Sequence, residues 1–314
     1  MYDVLTIGRV GVDLYPLQAG VPLDEVTTFG KFLGGSATNV AVAAARHGRR
    51  SAVITRTGED PFGRFVHAAL KDLGVDDAFV SAVAGLPTPV TFCEIFPPDN
   101  FPLWFYRYPK APDLEIRAEE LDLDVCRDAR VFWATVTGLS DQPSRDAHHA
   151  AWAARGRRPL TVLDLDYRPM FWASRRAAAE EIAAVLPLVT VAVGNLDEAQ
   201  TAVGESDPLR AARALLSAGA GLAVIKMGPD GVLGATADEV VTVPPAPVTV
   251  LNGLGAGDGF GGALCHGLLA GWPLLQVLRF ANAAGAIVAS RLECSTAMPT
   301  TAEVESLLAE EGDD

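Results

Sequence analysis

Along most of the chain, the pattern of apolar and polar positions predicts short strands that alternate with longer helices. Short apolar runs typical of buried strands lie at residues 4–7, 51–55, 131–134, 160–165, 189–193 and 222–226. Between them, helical patterns lie at residues 40–47, 63–73, 142–155 and 273–290. Strands that take turns with helices predict an α/β fold with a mainly parallel central sheet.

A second pattern interrupts this rhythm twice. Residues 88–96 alternate as a strand, 97–100 contain two prolines typical of a turn, and 103–108 form a second, aromatic strand. Residues 14–33 are turn-rich strand pieces. These insertions predict a small β layer that could cover a site as a lid. The predicted lid takes residues 13–33 and 87–110, and the predicted α/β domain, which binds nucleotide and substrate, takes 1–12, 34–86 and 111–314.

The most informative stretch is residues 248–265. A β-type run at 248–251 leads into a glycine-dense turn at 253–257, and a helical pattern begins at Asp258. Glycines let a backbone approach a ligand closely, and the first turn of a helix binds anions, above all phosphate. Asp258 would repel such an anion unless it has a chemical task, such as taking a proton from an attacking hydroxyl. An ordinary N-cap aspartate is an equally good interpretation at this point.

Two other interpretations of this region are weaker. The chain has no G-x-x-x-x-G-K-[ST] phosphate loop, and the G-x-G-x-x-G at residues 257–262 lacks the acidic residue expected about twenty positions later. Residues 259–278 carry no Asp, Glu, Lys or Arg and are long enough to cross a bilayer. The glycine and proline at 271–273 predict two helices with a turn between them instead.

Polar residues follow several predicted strands, where open α/β sheets place their ligands. Asp13 comes shortly after the first strand, and two glycines, the second of them Gly35, open a helix whose first turn holds Asn39. Two carboxylates and Arg168 follow the strand at 160–165. These residues predict the edge of a site, although a plain turn aspartate remains the alternative for Asp13.

Two later strands end in further candidates. Asn195 and Glu198 either form a capping box at a helix start or place Glu198 to hold a hydrated Mg²⁺. Lys226, with Gly228 and Gly231 in the turn after it, could border a nucleotide.

Arg107 lies among the aromatic residues of the predicted lid. It fits a bidentate clamp for a carboxylate or phosphate. The alternative is a surface arginine stacked on a neighbouring ring.

Composition limits the classes of partner. The chain has 314 residues, of which 49% are hydrophobic, so a sizeable core is expected. A net charge of −14 argues against nucleic acid or an anionic membrane as partner, so an anionic substrate needs local arginines, a helix terminus or a metal. The four cysteines have no C-x-x-C spacing and the start Met-Tyr-Asp-Val has no signal-peptide pattern, which predicts a cytoplasmic protein without disulfides.

The pairing of Gly34-Gly-Ser-Ala-Thr-Asn39 with Gly255-Ala-Gly-Asp258 resembles the two signatures of the ribokinase-like (PfkB) sugar kinases. The order of elements is similar across nearly the whole chain. The resemblance implies a three-layer α/β/α fold with a small β lid. It also implies that Asp258 is the general base and that the N–H groups of Gly255, Ala256 and Gly257 hold the phosphoryl oxygens.

The same resemblance implies further roles. The sugar hydroxyls would be held by Asp13, Gly35 and Asn39. Arg107 and Arg168 would face a carboxylate and the phosphoryl group. ATP would lie against Asn195, Lys226, Gly228, Gly231 and Asn282, with Mg²⁺ organised through waters by Glu198. Many members have Asp-Thr beside the anion site as part of a monovalent-cation site, whereas this chain has Asn252-Gly253, which leaves potassium binding at Asn252 open.

Four segments narrow the resemblance to sugar-acid kinases, at residues 8–16, 92–99, 106–112 and 290–299. They imply 5-dehydro-2-deoxy-D-gluconate of myo-inositol catabolism as the substrate, phosphorylated at its terminal hydroxyl. The alternatives are a 2-keto-3-deoxygluconate kinase, a neutral-sugar kinase (fructokinase or ribokinase), and a sugar- or nucleotide-binding regulator on an inactive kinase fold. Arg107 argues against a neutral sugar, and Asp258 argues against a pure binder.

The aromatic hairpin also predicts an assembly. Trp104, Phe105 and Tyr106 lie on a strand that is expected at the edge of the lid. An exposed aromatic edge favours pairing with a second copy, so we predict a homodimer formed through the β lid.

Overall fold

The computed structural model describes residues 1–310. Residues 311–314, which end the predicted α/β domain and make up most of the acidic tail that we expect to fray, lie outside the described residues. Its strands are β1 (Val4–Ile7), β2 (Gly11–Pro16), β3 (Phe29–Gly34), β4 (Ser51–Gly58), β5 (Val75–Asp76), β6 (Val80–Val83), β7 (Val90–Cys93), β8 (Leu103–Tyr106), β9 (Val131–Thr135), β10 (Thr161–Asp164), β11 (Val191–Asn195), β12 (Leu222–Lys226), β13 (Val232–Ala235) and β14 (Val240–Val243). Its helices are α1 (Ser36–Arg46), α2 (Pro61–Asp72), α3 (Leu123–Asp128), α4 (Ser144–Arg155), α5 (Arg175–Val185), α6 (Leu196–Val203), α7 (Pro208–Ser217), α8 (Ala256–Ala270), α9 (Leu274–Ala289) and α10 (Thr301–Glu310).

The larger sheet has the strand order β14-β13-β12-β11-β10-β9-β1-β4-β5, and β6 pairs with β4. Strands β4, β1, β9, β10, β11 and β12 run parallel, and β13 and β14 add an antiparallel edge. The carboxyl ends of the parallel strands therefore lie along one edge, where ligands bind in open α/β sheets.

Helices cover both faces of this sheet because successive strand residues point to opposite sides. In β9, Phe132 and Ala134 belong to the core under α3–α7. Val131 and Trp133 belong to the core under α1, α8, α9 and α10. Both cores are apolar and buried, which confirms the predicted α/β fold with a mainly parallel central sheet and gives it three layers.

A smaller sheet has the order β3-β2-β7-β8 and is made from the two predicted insertions. Strand β2 runs parallel to β7, while β3 and β8 are antiparallel edge strands. Its inner face packs on α1 and α2 through Val12, Leu33 and Cys93, which belong to one core cluster with Val42 and Val66. The division of the chain into a main domain and a lid remains a prediction.

Two local predictions differ from the structure. Residues 248–251 do not form a strand, and the backbone N–H groups of Leu251 and Asn252 donate to the carbonyl of Ala289 instead. Helix α8 begins at Ala256, before Asp258, with Gly255 as its N-cap. The uncharged run does split into α8 and α9 as predicted, and none of the helices in residues 1–310 is long and apolar enough to cross a membrane.

Candidate active site

The glycine turn at residues 253–257 presents the start of α8 to the carboxyl edge of the sheet. Gly255, the N-cap, has φ 81°, and a side chain there would collide with Sγ of Cys294. Only glycine adopts this conformation without strain. At Gly257, Nζ of Lys226 lies 3.0 Å from the position that a Cβ would take. The ammonium group of Lys226 thus lies beside the first turn of α8, where the N–H of Ala256 makes only a long hydrogen bond of 3.4 Å to the carbonyl of Gly253. A cation beside a helix N-terminus suits an anionic ligand.

Asp258 lies in the first turn of α8, and its Oδ2 accepts a hydrogen bond from Nδ2 of Asn39 at 2.8 Å. Burial raises the pKa of Asp258 to about 6, with a further rise from Asp166, while the bond from Asn39 opposes the shift. Asp258 does not cap the helix, because the N-cap of α8 is Gly255 and no side chain within residues 1–310 makes a capping hydrogen bond there. The N-cap interpretation of Asp258 is therefore wrong, and its carboxylate is available for chemistry.

Asn39 is itself fixed by residues from the end of the chain. Its Oδ1 accepts a hydrogen bond from Oγ of Ser295 at 2.7 Å, and its Nδ2 also contacts Sγ of Cys294 at 3.0 Å. The Ser295 hydroxyl also contacts the carbonyl of Leu33. Residues of the loop after α9 thus hold the side-chain amide of Asn39, on α1, against Asp258, on α8.

Asp13 belongs to β2 of the small sheet, so it does not follow the first strand of the main sheet as a turn residue. It is buried, and its Oδ2 accepts a hydrogen bond from Tyr15 Oη at 2.9 Å. Burial raises its pKa to about 6, and Tyr15 and Arg9 oppose the rise. A side chain at Gly34 would collide with the Asp13 carboxyl group, and one at Gly35 would collide with the carbonyl of Arg9. The small sheet therefore brings Asp13 close to the start of α1.

A cluster of buried carboxylates follows β10 and β11. Oδ1 of Asp166 lies 2.9 Å from Arg168 Nη2, and Oε1 of Glu198 lies 3.5 Å from Arg168 Nη1. Burial raises the pKa of Asp166, but Arg168, Arg9 and Ser36 outweigh it and the pKa falls. Burial also raises the pKa of Asp164, against the pull of Lys226. Arg168 thus faces the carboxylates of the site.

Arg107 points inward, since its side chain is only 10% exposed. Its Nη2 lies 2.8 Å from Asp113 Oδ2, and its guanidinium lies 4.9 Å from the centre of the Phe171 ring. The interpretation of Arg107 as a surface arginine is therefore wrong, because its side chain is buried. It does stack on an aromatic ring, that of Phe171. Arg107 therefore places a buried cation directly after β8, within electrostatic reach of Arg9 and Asp166.

The candidates on the nucleotide side have structural partners. Asn195 and Glu198 form both bonds of a capping box, at 2.9 Å and 2.7 Å. A side chain at Gly231 would collide with the carbonyl of Val243, whereas Gly228 has open space around it. Nδ2 of Asn282 donates to the carbonyl of Pro244 at 2.8 Å. Two residues of this group are within electrostatic reach of the site carboxylates. Lys226 interacts with Asp164 and Asp258, and Glu198 interacts with Asp164.

Asn252 is fully buried and uses both ends of its side chain on backbone groups. Its Nδ2 donates to the carbonyl of Leu292 at 2.7 Å, and its Oδ1 accepts from the N–H of Leu254 at 3.1 Å. An amide N–H group cannot ligate a cation, and one of the two lone pairs of Oδ1 already accepts a hydrogen bond. The Asn252 side chain is thus mainly a bridge between backbone groups and a poor ligand for potassium.

Several residues of the site escaped prediction from the sequence. These residues are buried: Asp113 and Ser295 contact the candidates Arg107 and Asn39, and Arg9 and Ser36 contact Asp166, one of the two carboxylates after β10. Arg9 had a usable signal, because it is a charged residue near the end of a buried strand. Ser36 and Ser295 are short polar residues whose partners lie 130 and 256 positions away, and no local pattern marks them. Asp113 pairs with Arg107 only six positions away, but it has no motif around it.

Comparisons with known proteins find carbohydrate kinases. Residues 1–301 match the model of the pfkB family of carbohydrate kinases. A 5-dehydro-2-deoxygluconokinase of Shouchella clausii is 32% identical over 315 residues, which cover 99% of this chain and 96% of that protein.

Solved structures share the fold. A ribokinase II from E. coli in complex with ATP and Mg²⁺ superimposes with a TM-score of 0.88 at 23% identity, covering 99% of this chain and 100% of that one. A fructokinase of Vibrio cholerae bound to fructose, ADP and a potassium ion has a TM-score of 0.86 at 25% identity, covering 98% of each chain.

Proposed function

The chain belongs to the pfkB family of carbohydrate kinases, and from this premise we propose that it transfers the γ-phosphoryl group of ATP to the terminal hydroxyl of 5-dehydro-2-deoxy-D-gluconate, in myo-inositol catabolism. The observation that carries phosphoryl transfer is the meeting of Asp258, Lys226 and the start of α8 at one point. The sugar acid is supported by the names of relatives that are 32% identical over almost the whole chain.

Asp258 is proposed as the general base. Its carboxylate would take the proton of the attacking hydroxyl, while Asn39 fixes its orientation. The N–H groups of Gly255, Ala256 and Gly257 would stabilise the charge on the phosphoryl oxygens. Lys226 adds a positive charge beside that turn. Burial lowers the pKa of Lys226, but Asp164, Glu198 and Asp258 raise it by more, so it stays protonated.

The substrate would lie between the two sheets. Asp13, Gly35 and Asn39 are proposed to bind its hydroxyls, since they line the start of α1 beside Asp258. Arg107 would face its carboxylate and Arg168 the phosphoryl group. Arg107 already pairs with Asp113, so its counter-ion does not decide the substrate, and the preference for a sugar acid over fructose or ribose rests on the names of the 32% identical relatives.

ATP and Mg²⁺ are the proposed cofactors. Asn195, Lys226, Gly228, Gly231 and Asn282 would border the nucleotide. Within residues 1–310, no three His, Cys, Asp or Glu side chains converge to hold a metal directly, but the oxygen donors Asp164, Asp166 and Glu198 lie in one electrostatic cluster and fit a hydrated Mg²⁺. When bound, Mg²⁺ would neutralise charge on the phosphates. Glu198 and its neighbours would hold the waters of such an ion.

The assembly and location are proposed on two observations. Trp104 and Tyr106 are exposed on β8, which is an edge strand, and this supports a homodimer through the small sheet. All four cysteines are buried free thiols, which supports a reducing compartment such as the cytoplasm.

The test is ADP release by purified protein with ATP and Mg²⁺ and one of four acceptors. These are 5-dehydro-2-deoxygluconate, 2-keto-3-deoxygluconate, fructose and ribose. We expect the highest kcat/KM for the first. A preference for fructose or ribose would support the kinase activity but contradict the sugar acid as its substrate. Absence of turnover with all four, together with ATP binding, would favour a regulator. Asp258→Asn is the matched control, which should bind ATP without turnover.

A further inference from the structure

Arg9 is a buried cation in the middle of the site, and none of the roles above uses it. Its side chain is 10% exposed, and its Nε is buried without a hydrogen-bond partner among residues 1–310. Its Nη2 lies 3.2 Å from Ser36 Oγ and 3.5 Å from Asp166 Oδ2. A guanidinium presents five N–H donors in a rigid fork, so these contacts leave donors of Arg9 for another partner.

Arg9 and Arg107 meet over the same aromatic ring. The guanidinium carbons lie 5.9 Å and 4.9 Å from the centre of the Phe171 ring. Phe105 packs edge-on against Phe171 at 5.0 Å, and its ring centre lies 5.4 Å from the Arg9 guanidinium. Ring faces attract cations but do not neutralise them. Burial lowers the pKa of Arg107 and the charge of Arg9 lowers it further, so the two guanidinium groups are within electrostatic reach of each other. Two neighbouring guanidinium groups are suited to bind a planar anion such as a carboxylate.

The carboxylates around Arg9 are engaged elsewhere. Asp166 accepts a hydrogen bond from Ser36 at 2.6 Å and pairs with Arg168 at 2.9 Å, both closer than its contact with Arg9. Asp113 pairs with Arg107. Within residues 1–310, Arg9 therefore has only a shared ion pair, with Asp166. A buried cation in that position is stabilised when a ligand supplies the missing negative charge.

The position of Arg9 also fits a ligand that spans the site. Burial raises the pKa of Asp13 and of Asp258, and the charge of Arg9 opposes that rise in both. Its guanidinium is thus within electrostatic reach of the proposed hydroxyl-binding residue and of the proposed base.

We propose that Arg9 binds the carboxylate of the sugar acid together with Arg107, and thereby makes the kinase prefer an acid to a neutral sugar. This inference rests on the proposed function. Arg9 is a specificity-determining residue in this account, and the chemical step remains with Asp258.

The experiment compares wild-type protein, Arg9→Gln and Arg9→Lys on two acceptors. One is 5-dehydro-2-deoxygluconate, and the other is its neutral analogue, in which a hydroxymethyl group replaces the carboxylate. Loss of a charge-assisted bidentate contact should raise KM for the acid about 10- to 100-fold in Arg9→Gln. KM for the neutral analogue should stay close to the wild-type value. Arg9→Lys keeps the charge without the fork, so its KM for the acid should lie between the two.

Arg56→Gln is the matched control. Arg56 is equally buried, with 8% side-chain exposure, and pairs with Glu120 away from the site. It should lose stability without any change in the preference for the acid. If Arg9→Gln raised KM for both acceptors alike, or for neither, the inference would be overturned. If wild-type protein itself showed no preference for the acid, the proposed function would fail instead, which separates the two failures. Should Arg9→Gln not fold, Arg9→Lys alone decides the question.

Discussion

At the scale of single residues, the proposed base has an environment that can be tested by its titration. Burial raises the pKa of Asp258 from 3.8 to about 6. A protonated carboxyl group cannot accept the proton of the hydroxyl, so kcat/KM should fall about tenfold for each pH unit below about pH 6. Because kcat/KM reports the free enzyme, measurements of ADP release between pH 5 and 8 test this prediction.

Asp13 should also affect the pH dependence of kcat/KM. Its pKa is likewise raised by burial to about 6, so both groups contribute to the acid limb and the fall should be steeper than for one group. Replacing Asp13 with Asn should lower the rate and leave the fall of a single group. A profile that stays flat down to pH 5 would show that neither carboxyl group has a raised pKa.

The contacts of Asn252 lead to a second prediction at the scale of residues, on the effect of potassium on the rate. Its amide already bridges Leu292 and Leu254, so we expect the wild-type rate to be the same in potassium chloride and in tetramethylammonium chloride. Asn252→Asp would set a carboxylate against the carbonyl of Leu292 and lose a buried donor. This should cost about 1–3 kcal/mol of stability without potassium. Potassium should restore part of it, because a cation can sit between two oxygens.

The measurement is the thermal unfolding and the rate of ADP release of both proteins in the two salts. A clear potassium stimulation of the wild-type protein would contradict the assignment of Asn252 as a structural bridge. Equal behaviour of Asn252→Asp in both salts would show that the exchange creates no cation site.

At the scale of elements, the N-terminus of α8 depends on one glycine. Gly255→Ala would place a side chain at φ 81° and against Sγ of Cys294. Strain of this kind costs about 1–3 kcal/mol. Because the turn carries the proposed phosphoryl-binding N–H groups, kcat should also fall about 10- to 1,000-fold. Denaturant unfolding and steady-state kinetics measure the two effects.

The other end of α8 supplies the control. Gly271 also has a left-handed conformation, with φ 71°, but nothing lies within 4 Å of the place where its Cβ would be. Gly271→Ala should therefore lose about 1 kcal/mol of stability and keep its kcat. A similar loss of kcat in both variants would mean that helix stability, and not the shape of the N-terminal turn, sets the rate.

The elements also show what the sequence could and could not predict. The strands could be predicted because buried parallel strands are short apolar runs, and the glycine turn before α8 could be predicted because its glycines are neighbours in the sequence. The first residue of α8 was predicted two positions too late. Residues 248–251 have a strand-like composition, yet they bond to the end of α9. The hydrogen bond between Ser295 and Asn39 joins residues 256 positions apart. Such long-range pairings depend on the folded chain, so Arg9 and Ser295 could not be assigned partners from the sequence.

At the scale of the whole molecule, the small sheet leaves one aromatic edge uncovered. Strand β8 pairs only with β7, so the outer backbone groups of β8 have no strand beside them within residues 1–310. Trp104 and Tyr106 project from its outer face with 40% and 61% exposure. A groove of about 380 Å³ lies beside them, lined by Phe62, Val90 and Tyr108 among others. Exposed edges and grooves of this kind favour a second copy of the chain.

We therefore expect sedimentation equilibrium to give a mass of two chains of 33.0 kDa each. The double variant Trp104→Glu, Tyr106→Glu should sediment as a monomer, because buried charge at a paired edge is costly. The control is Leu275→Glu on α9, where an equally exposed apolar residue (51%) lies outside the small sheet and should leave the dimer intact. Since Arg107 and Asp13 are carried by the same sheet as Trp104, loss of pairing should also raise KM for the sugar acid. A monomeric wild-type protein with full activity would show that the small sheet closes over the site without a partner.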